Sequence, residues 1–215
     1  MNLIIPAIIP KSHAHLQETL AIVEPFTRSV QIDIVDGVFV PFTSWPYTEA
    51  AGIDEIQKDI EGFDVEVDLM VMEPEEVIEE YLQLGVTRAV VHLESTTKLE
   101  SIIALKSKYD FKLGFSINND TPLETLTNML HHAEYVQLMG IRKIGSQGQP
   151  FDTDVLTRIA TLKALFPNHM ISIDGSVNLE TLPQLIKAGA DRFVSGSAIL
   201  SHKNPAEAFA ILSQI

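Results

Sequence analysis

At 215 residues, with 46% hydrophobic and 20% charged residues, the chain can build one large domain with a substantial core, which excludes a disordered polypeptide. It has no cysteine, so disulfides and thiolate chemistry are excluded as well. A formal charge of −14 argues against nucleic acid as a partner, because phosphate contacts there need clustered Lys and Arg, but it leaves room for a small anion held by backbone amides. The apolar start, MNLIIPAIIP, is too short to span a bilayer and has no basic flank, so neither a membrane partner nor a secretion signal is expected, and a cytoplasmic protein is.

Short apolar runs alternate with longer amphipathic stretches. In chain order, a strand is expected near 3–9 and a helix near 14–25, then 29–35 and 53–59, 62–71 and 74–84, 87–93 and 97–108, 111–117 and 122–131, 134–140 and 152–165, 169–174 and 178–187, and 191–196 and 204–214. Parallel neighbours need helical crossovers, so eight strand–helix pairs imply a parallel sheet, and this length favours one closed (β/α)8 barrel over residues 1–215. No linker or composition break divides the chain. Pro74 suits a first helical turn flanked by Glu73, Glu75 and Glu76. Thr121-Pro122-Leu123-Glu124 reads as a capping box, and Asn204-Pro205 opens the last helix similarly. The glutamates at 73, 75, 76, 79 and 80 read as a solvated helix surface.

Three strands carry acids that a buried strand does not need. Side chains alternate along a strand, so Gln31, Asp33 and Val35 share one face of the second, and Glu66, Asp68 and Met70 share one face of the third. Asp174 ends the seventh. Barrel active sites form at the carboxyl ends of strands, so inward acids there are functional candidates; the alternative is that they cap helices or pair with arginine. Glycines form a second constellation, Gly145-Ser146-Gln147-Gly148, Gly175-Ser176 and Gly196-Ser197, in three successive loops where barrels commonly hold a phosphate. His92 ends the fourth strand, in a structural hydrogen bond or a site role. His131 and His132 close a helix, Trp45 is expected to pack a loop over the barrel mouth, and Met70 and Met139 are inward core residues or the wall of an apolar pocket.

These residues together resemble the ribulose-phosphate 3-epimerase family, across nearly the whole chain. Asp33-Ile34-Val35-Asp36-Gly37-Val38-Phe39-Val40-Pro41 is similar to its D-V-M-D-G-x-F-V-P signature. Asp68-Leu69-Met70-Val71 with Glu73-Pro74-Glu75 resembles H-L-M-V-x-x-P-E, and Val91-His92-Leu93-Glu94 resembles F-H-x-E. Asp174-Gly175-Ser176 stands where the family has D-G-G, and Gly196-Ser197-Ala198-Ile199 is nearly unchanged. The resemblance implies inversion at C3 of a ketose phosphate through an enediolate, with Asp33 and Asp174 as acid and base. It also implies contacts to the sugar phosphate by Asp68, Met70 and the three glycine loops, and a homo-oligomer, since members are often dimers or hexamers.

The family's metal set is two histidines and two aspartates, whereas the matching positions here are Gln31, Asp33, Asp68 and Asp174, and a substrate-contacting serine is Ala7. Amide and carboxylate oxygens suit Mg2+ or Mn2+ rather than Zn2+. A divalent cation of that kind is expected, with a metal-free site holding one protonated aspartate as the other outcome. Two further readings stand beside the epimerase. A related barrel lyase or decarboxylase acts on a hexulose phosphate, but position 70 is Met where that branch has Lys. The other is a sugar-phosphate-binding homologue without catalysis.

Overall fold

The structure, a computed structural model, describes residues 3–49 and 52–215. Eight strands, β1 (Leu3–Ile8), β2 (Ser29–Val35), β3 (Asp64–Met70), β4 (Arg88–His92), β5 (Lys112–Ile117), β6 (Tyr135–Met139), β7 (Met170–Asp174) and β8 (Arg192–Ser195), pair in chain order. All ladders are parallel and β8 closes on β1. This is the expected (β/α)8 barrel, with each strand within two residues of its expected bounds.

The helices are α1 (His13–Val23), α2 (Ile56–Asp59), α3 (Ile78–Gln83), α4 (Leu99–Ala104), α5 (Leu123–Thr127), α6 (Asp154–Leu165), α7 (Leu182–Ala188), α8 (Ser197–Leu200) and α9 (Pro205–Gln214). Ser12 caps α1 by accepting from the His15 N–H, and Asn204 caps α9 by accepting from Glu207. Several helices are shorter than the amphipathic pattern suggests. The stretch 74–84 splits into a 3₁₀ turn at Pro74–Glu76 and α3, and 97–108 and 122–131 end in 3₁₀ turns. The expected capping box at Thr121 does not form: Pro122 is extended, and the Thr121 hydroxyl goes to Glu94 instead. Residues 178–181 stay outside α7 because the Asn178 side-chain oxygen takes the N–H groups of Glu180 and Thr181, a local bond that competes with the helix.

Strand alternation sorts the core into two layers. Outward residues such as Ile32, Ile34, Val67, Leu69, Phe115, Leu138, Ile173 and Phe193 pack under Leu16, Leu20, Ile159, Leu162 and Leu185 of the helices, forming the main hydrophobic core. Inward residues are different. Gln31, Asp33, Glu66, Asp68, His92, Gln137, Ser172, Asp174 and Arg192 are all buried, so the barrel axis is polar. Room for this lining is made at Gly114, where an added Cβ would lie 2.5 Å from the Tyr135 ring. Trp45 does not cover the barrel mouth. It is fully buried in the helix-side core with its ring stacked on His13 of α1, because its backbone N–H is tied to the Pro10 carbonyl just beyond β1.

Candidate active site

The turn after β2 is set by Asp36. Its carboxylate accepts from the backbone of Val38 and Phe39 at 2.7 and 2.9 Å and from Met72 at 2.8 Å, so one side chain fixes the loops after β2 and β3 together. Ser44 completes the turn, accepting from the Val35 N–H and donating to the Asp33 carbonyl. Asp33 is thereby held at the carboxyl end of β2, in register with Asp68 of β3, while Gln31 lies one step lower opposite Glu66.

Asp33, Asp68 and Asp174 converge, each offering a carboxylate oxygen within 4.8 Å of the others. Their partners divide them. Asp68 is fully buried, accepting from Gln137 Nε2 at 2.8 Å and lying 3.1 Å from His92 Nε2, so both of its oxygens are engaged by neighbours. Asp33 and Asp174 instead share one donor, the Gln31 amide, whose Nε2 lies 2.9 Å from Asp33 Oδ1 and 3.0 Å from Asp174 Oδ2. Burial, then the charges of Asp174 and Asp68, hold the Asp33 carboxyl well above the usual range. Burial and the Asp68 charge push Asp174 up to about 7, against the lowering effect of the Gln31 hydrogen bond. Burial by itself would lower the His92 pKa, but the Asp68 carboxylate overrides it and the net direction is upward. Three polar atoms here are buried without a protein partner: Gln31 Oε1, Gln137 Oε1 and His92 Nδ1.

The floor beneath this ring is a network that strand patterning alone did not reveal. Arg192 Nη1 lies 2.9 Å from Glu66 and 3.1 Å from Ser172 Oγ, and the Tyr135 hydroxyl donates to the other Glu66 oxygen. Glu66 shares an inward face with Asp68, so its face was readable, but its partner lies 126 residues away.

Above the carboxylates opens a cavity of about 380 Å³, lined by Ala7, Asp33, Met70, Met139, Ile141 and Asp174 and by the loops after β6, β7 and β8. Gly145, Ser146, Gln147, Gly148, Gly175, Ser176, Gly196 and Ser197 all face it. Asp68, by contrast, is not on the cavity wall; it supports the wall from below. Met70, Met139 and Ile141 form the apolar side of the cavity, packed from behind by Val35, Val40 and Ile144. The backbone turns away at Gly175 (φ +95°), where a Cβ would lie 2.7 Å from Ile141. Ser197 and Ala198 begin the short helix α8, and the first N–H groups of a helix have no intrahelical acceptor. None of the lining residues is Lys or Arg. Arg142, in the loop after β6, is taken up by Asp120, Asp152 and Asp154. An anion entering this cavity would therefore meet only neutral donors.

Among the described residues, no helix is long and apolar enough to cross a membrane. Residues 3–200 match the model of the ribulose-phosphate 3 epimerase family. The ribulose-phosphate 3-epimerase of Bacillus subtilis is 31% identical over 201 residues, covering 90% of each chain. That of Treponema pallidum is 29% identical, covering 91% of this chain and 90% of its own. The solved structure of a 3-hexulose-6-phosphate synthase superposes with a TM-score of 0.73 at 18% identity, covering 100% of this chain and 99% of that one. The solved structure of KGPDC from Streptococcus mutans gives 0.74 at 13% identity, with 99% and 96% covered. At these identities the two structures speak to the barrel alone. The match over residues 3–200 and the level of identity to the Bacillus subtilis enzyme go further: the chain belongs to the ribulose-phosphate 3-epimerase family, isomerases that act on carbohydrates.

Proposed function

We propose that this chain inverts C3 of a ketose phosphate, ribulose 5-phosphate to xylulose 5-phosphate or a close analogue, through an enediolate. The observation that carries the reading is the Asp33–Asp174 pair: two buried carboxyls from β2 and β7, both titrating above the usual range, both bonded to one amide, at the base of a cavity ringed by glycine loops. Inversion needs a base on one face of a planar intermediate and an acid on the other. Two crowded carboxyls with raised pKa values supply that combination near neutral pH, one ionised and one protonated. The ionised aspartate takes the C3 proton while charge gathers on the C2 oxygen, and the protonated one returns a proton from the far side. Asp68 takes no part in proton transfer in this reading, since it stands behind the cavity wall with Gln137 donating to one oxygen and His92 beside the other.

The phosphate of the substrate would be bound by backbone N–H groups at Gly145–Gly148, Gly175-Ser176 and Gly196-Ser197, helped by the start of α8. The cavity lies at the small end of ligand pockets, about 300–1,000 Å³, which suits a compact sugar phosphate. The residues also fit a hard divalent cation, Mg2+ or Mn2+ over Zn2+: Asp33, Asp68 and Asp174 offer three clustered oxygens, and the unpartnered Gln31 Oε1 would join them with the amide turned over, since Nε2 is what faces Asp33 and Asp174 here. When bound there, the cation would stabilise negative charge on the enediolate oxygens. The hexulose-phosphate lyase reading is disfavoured by the thioether of Met70 on the cavity wall, which offers no ammonium group.

The test is an assay with D-ribulose 5-phosphate in deuterium oxide. Product should carry solvent deuterium at C3, and Asp33→Asn and Asp174→Asn should each lower turnover by about a thousandfold or more. Loss of turnover in chelator, restored by Mn2+ or Mg2+, supports the oxygen-ligand set; full activity in chelator removes the cation and leaves the two aspartates standing. No turnover and no deuterium uptake with any pentulose or hexulose phosphate would refute the enzyme reading.

A further inference from the structure

Ser176 is a non-glycine residue held in the left-handed region, φ +54°, in the middle of the proposed phosphate cradle. A serine there is disfavoured, and it persists only where its surroundings over-determine it. They do. Its carbonyl accepts from Thr181 Oγ1 at 2.5 Å and from Asn178 Nδ2 at 3.2 Å, which fixes the peptide from behind. Its hydroxyl then points sideways out of the β7 loop and donates to the Gln149 carbonyl at 2.6 Å. Gln149 in turn donates to Ser146 Oγ at 3.0 Å, within the loop after β6.

The proton of the hydroxyl is therefore spent on a neighbouring loop and is not free to be donated to an anion. Among the described residues it makes the one side-chain hydrogen bond that joins the loop after β6 to the loop after β7. Without it, the segment Gly145–Gly148 rests on Gln149 inside its own loop and on the Gln147 amide, which reaches the Ala7 carbonyl at 3.2 Å. That segment carries two left-handed glycines, Gly145 and Gly148, and so has little stiffness of its own.

We infer that Ser176 is a positioning residue: its hydroxyl latches the β6 loop to the β7 loop and so presets the spacing of the backbone amides that receive the phosphate. The inference rests on the reading of this cavity as a sugar-phosphate site. Because the cavity offers no cationic side chain, amide placement is what sets anion affinity, and a loosened loop must be ordered at the moment of binding. The latch acts on binding, not on proton transfer, since Asp33 and Asp174 are fixed by their own strands and by Gln31.

Two variants separate the hydroxyl from the backbone. Ser176→Gly removes the hydroxyl and relaxes the left-handed strain; Ser176→Ala removes the hydroxyl and keeps the strain. Each should raise KM for D-ribulose 5-phosphate, and the inhibition constant of inorganic phosphate, by roughly five- to tenfold, the scale of one neutral hydrogen bond, with kcat held within about twofold. Amide hydrogen exchange across 145–149 should quicken in both. If Ser176→Gly keeps the KM and the exchange rates of the starting protein, only backbone shape matters at this position and the latch is overturned. The exchange comparison needs no turnover. A protein inactive on every ketose phosphate would sink the reading of the cavity, while unchanged exchange at 145–149 would sink the latch.

Discussion

Replacing Asp174 by Asn should stop turnover and, at the same time, make the protein more stable at pH 8. Burial and the charge of Asp68 raise the native pKa of Asp174 to about 7, against 3.8 for an ordinary aspartate. The native state thus keeps a proton that the unfolded chain gives up. A carboxyl raised in this way contributes stability that is complete below pH 3.8 and is lost as pH climbs through about 7. The loss amounts to about 1–2 kcal/mol at pH 5 and approaches about 4 kcal/mol at pH 8 as an upper limit, because Asp33 shares the burden. Asparagine never ionises, yet its side-chain oxygen can still accept from Gln31 Nε2, so the variant escapes the loss without orphaning that donor. Urea unfolding in chelator at pH 5 and pH 8 reads the difference. A gain at pH 8 that exceeds the gain at pH 5 by about 1–3 kcal/mol is expected. A variant no more stable at pH 8 than the starting protein, or one whose gain does not change with pH, would refute the claim that this carboxyl is strained by its surroundings.

Two other outcomes follow from the site and its floor. Mg2+ or Mn2+ at about a hundred times its dissociation constant should stabilise the protein by about 2.7 kcal/mol, a rise in Tm of roughly 5–10 °C that Asp68→Asn abolishes; an unchanged Tm with every divalent ion would remove the cation. Arg192→Met leaves Glu66 buried and unpaired and should cost about 3–5 kcal/mol in denaturant unfolding, while the double variant with Glu66→Gln recovers most of it, and failure to recover would show that the pair acts through packing alone.

How much of this was legible depended on the range over which each residue acts. The strands could be read because alternation is local: Asp33 and Asp68 had to share a level with inward neighbours once the barrel was drawn, and the register pairs them. The loop glycines reached the cavity for the same reason, since they follow strand ends directly. What alternation cannot supply is the partner across the barrel. Gln31 was readable as inward, but its amide bridging Asp33 and Asp174 depends on a residue 143 positions away. Thr121 fitted a cap by sequence, yet Glu94 on the neighbouring loop competed for its hydroxyl and won. Trp45 was misplaced because nothing in its own segment signals the stacking with His13. Ser176 was readable as a residue of the loop after β7, but the bond from its hydroxyl to the Gln149 carbonyl is visible only once the two loops are side by side.

The shared Gln31 amide has a kinetic consequence. If Asp33 and Asp174 work as proposed, one ionised and one protonated, each inversion would leave their protonation states exchanged, and the free protein would emerge in the form suited to the reverse reaction. Gln31 donates to both carboxyls at nearly equal length and so favours neither form. Before a second forward turnover a proton must cross, or be traded with solvent through the cavity mouth, since the Glu66–Arg192 pair seals the floor. At high substrate this reset can become the slow event. It would show as tracer counterflow: labelled product driven uphill by a flood of unlabelled substrate, the mark of a protein that remembers which way it last turned.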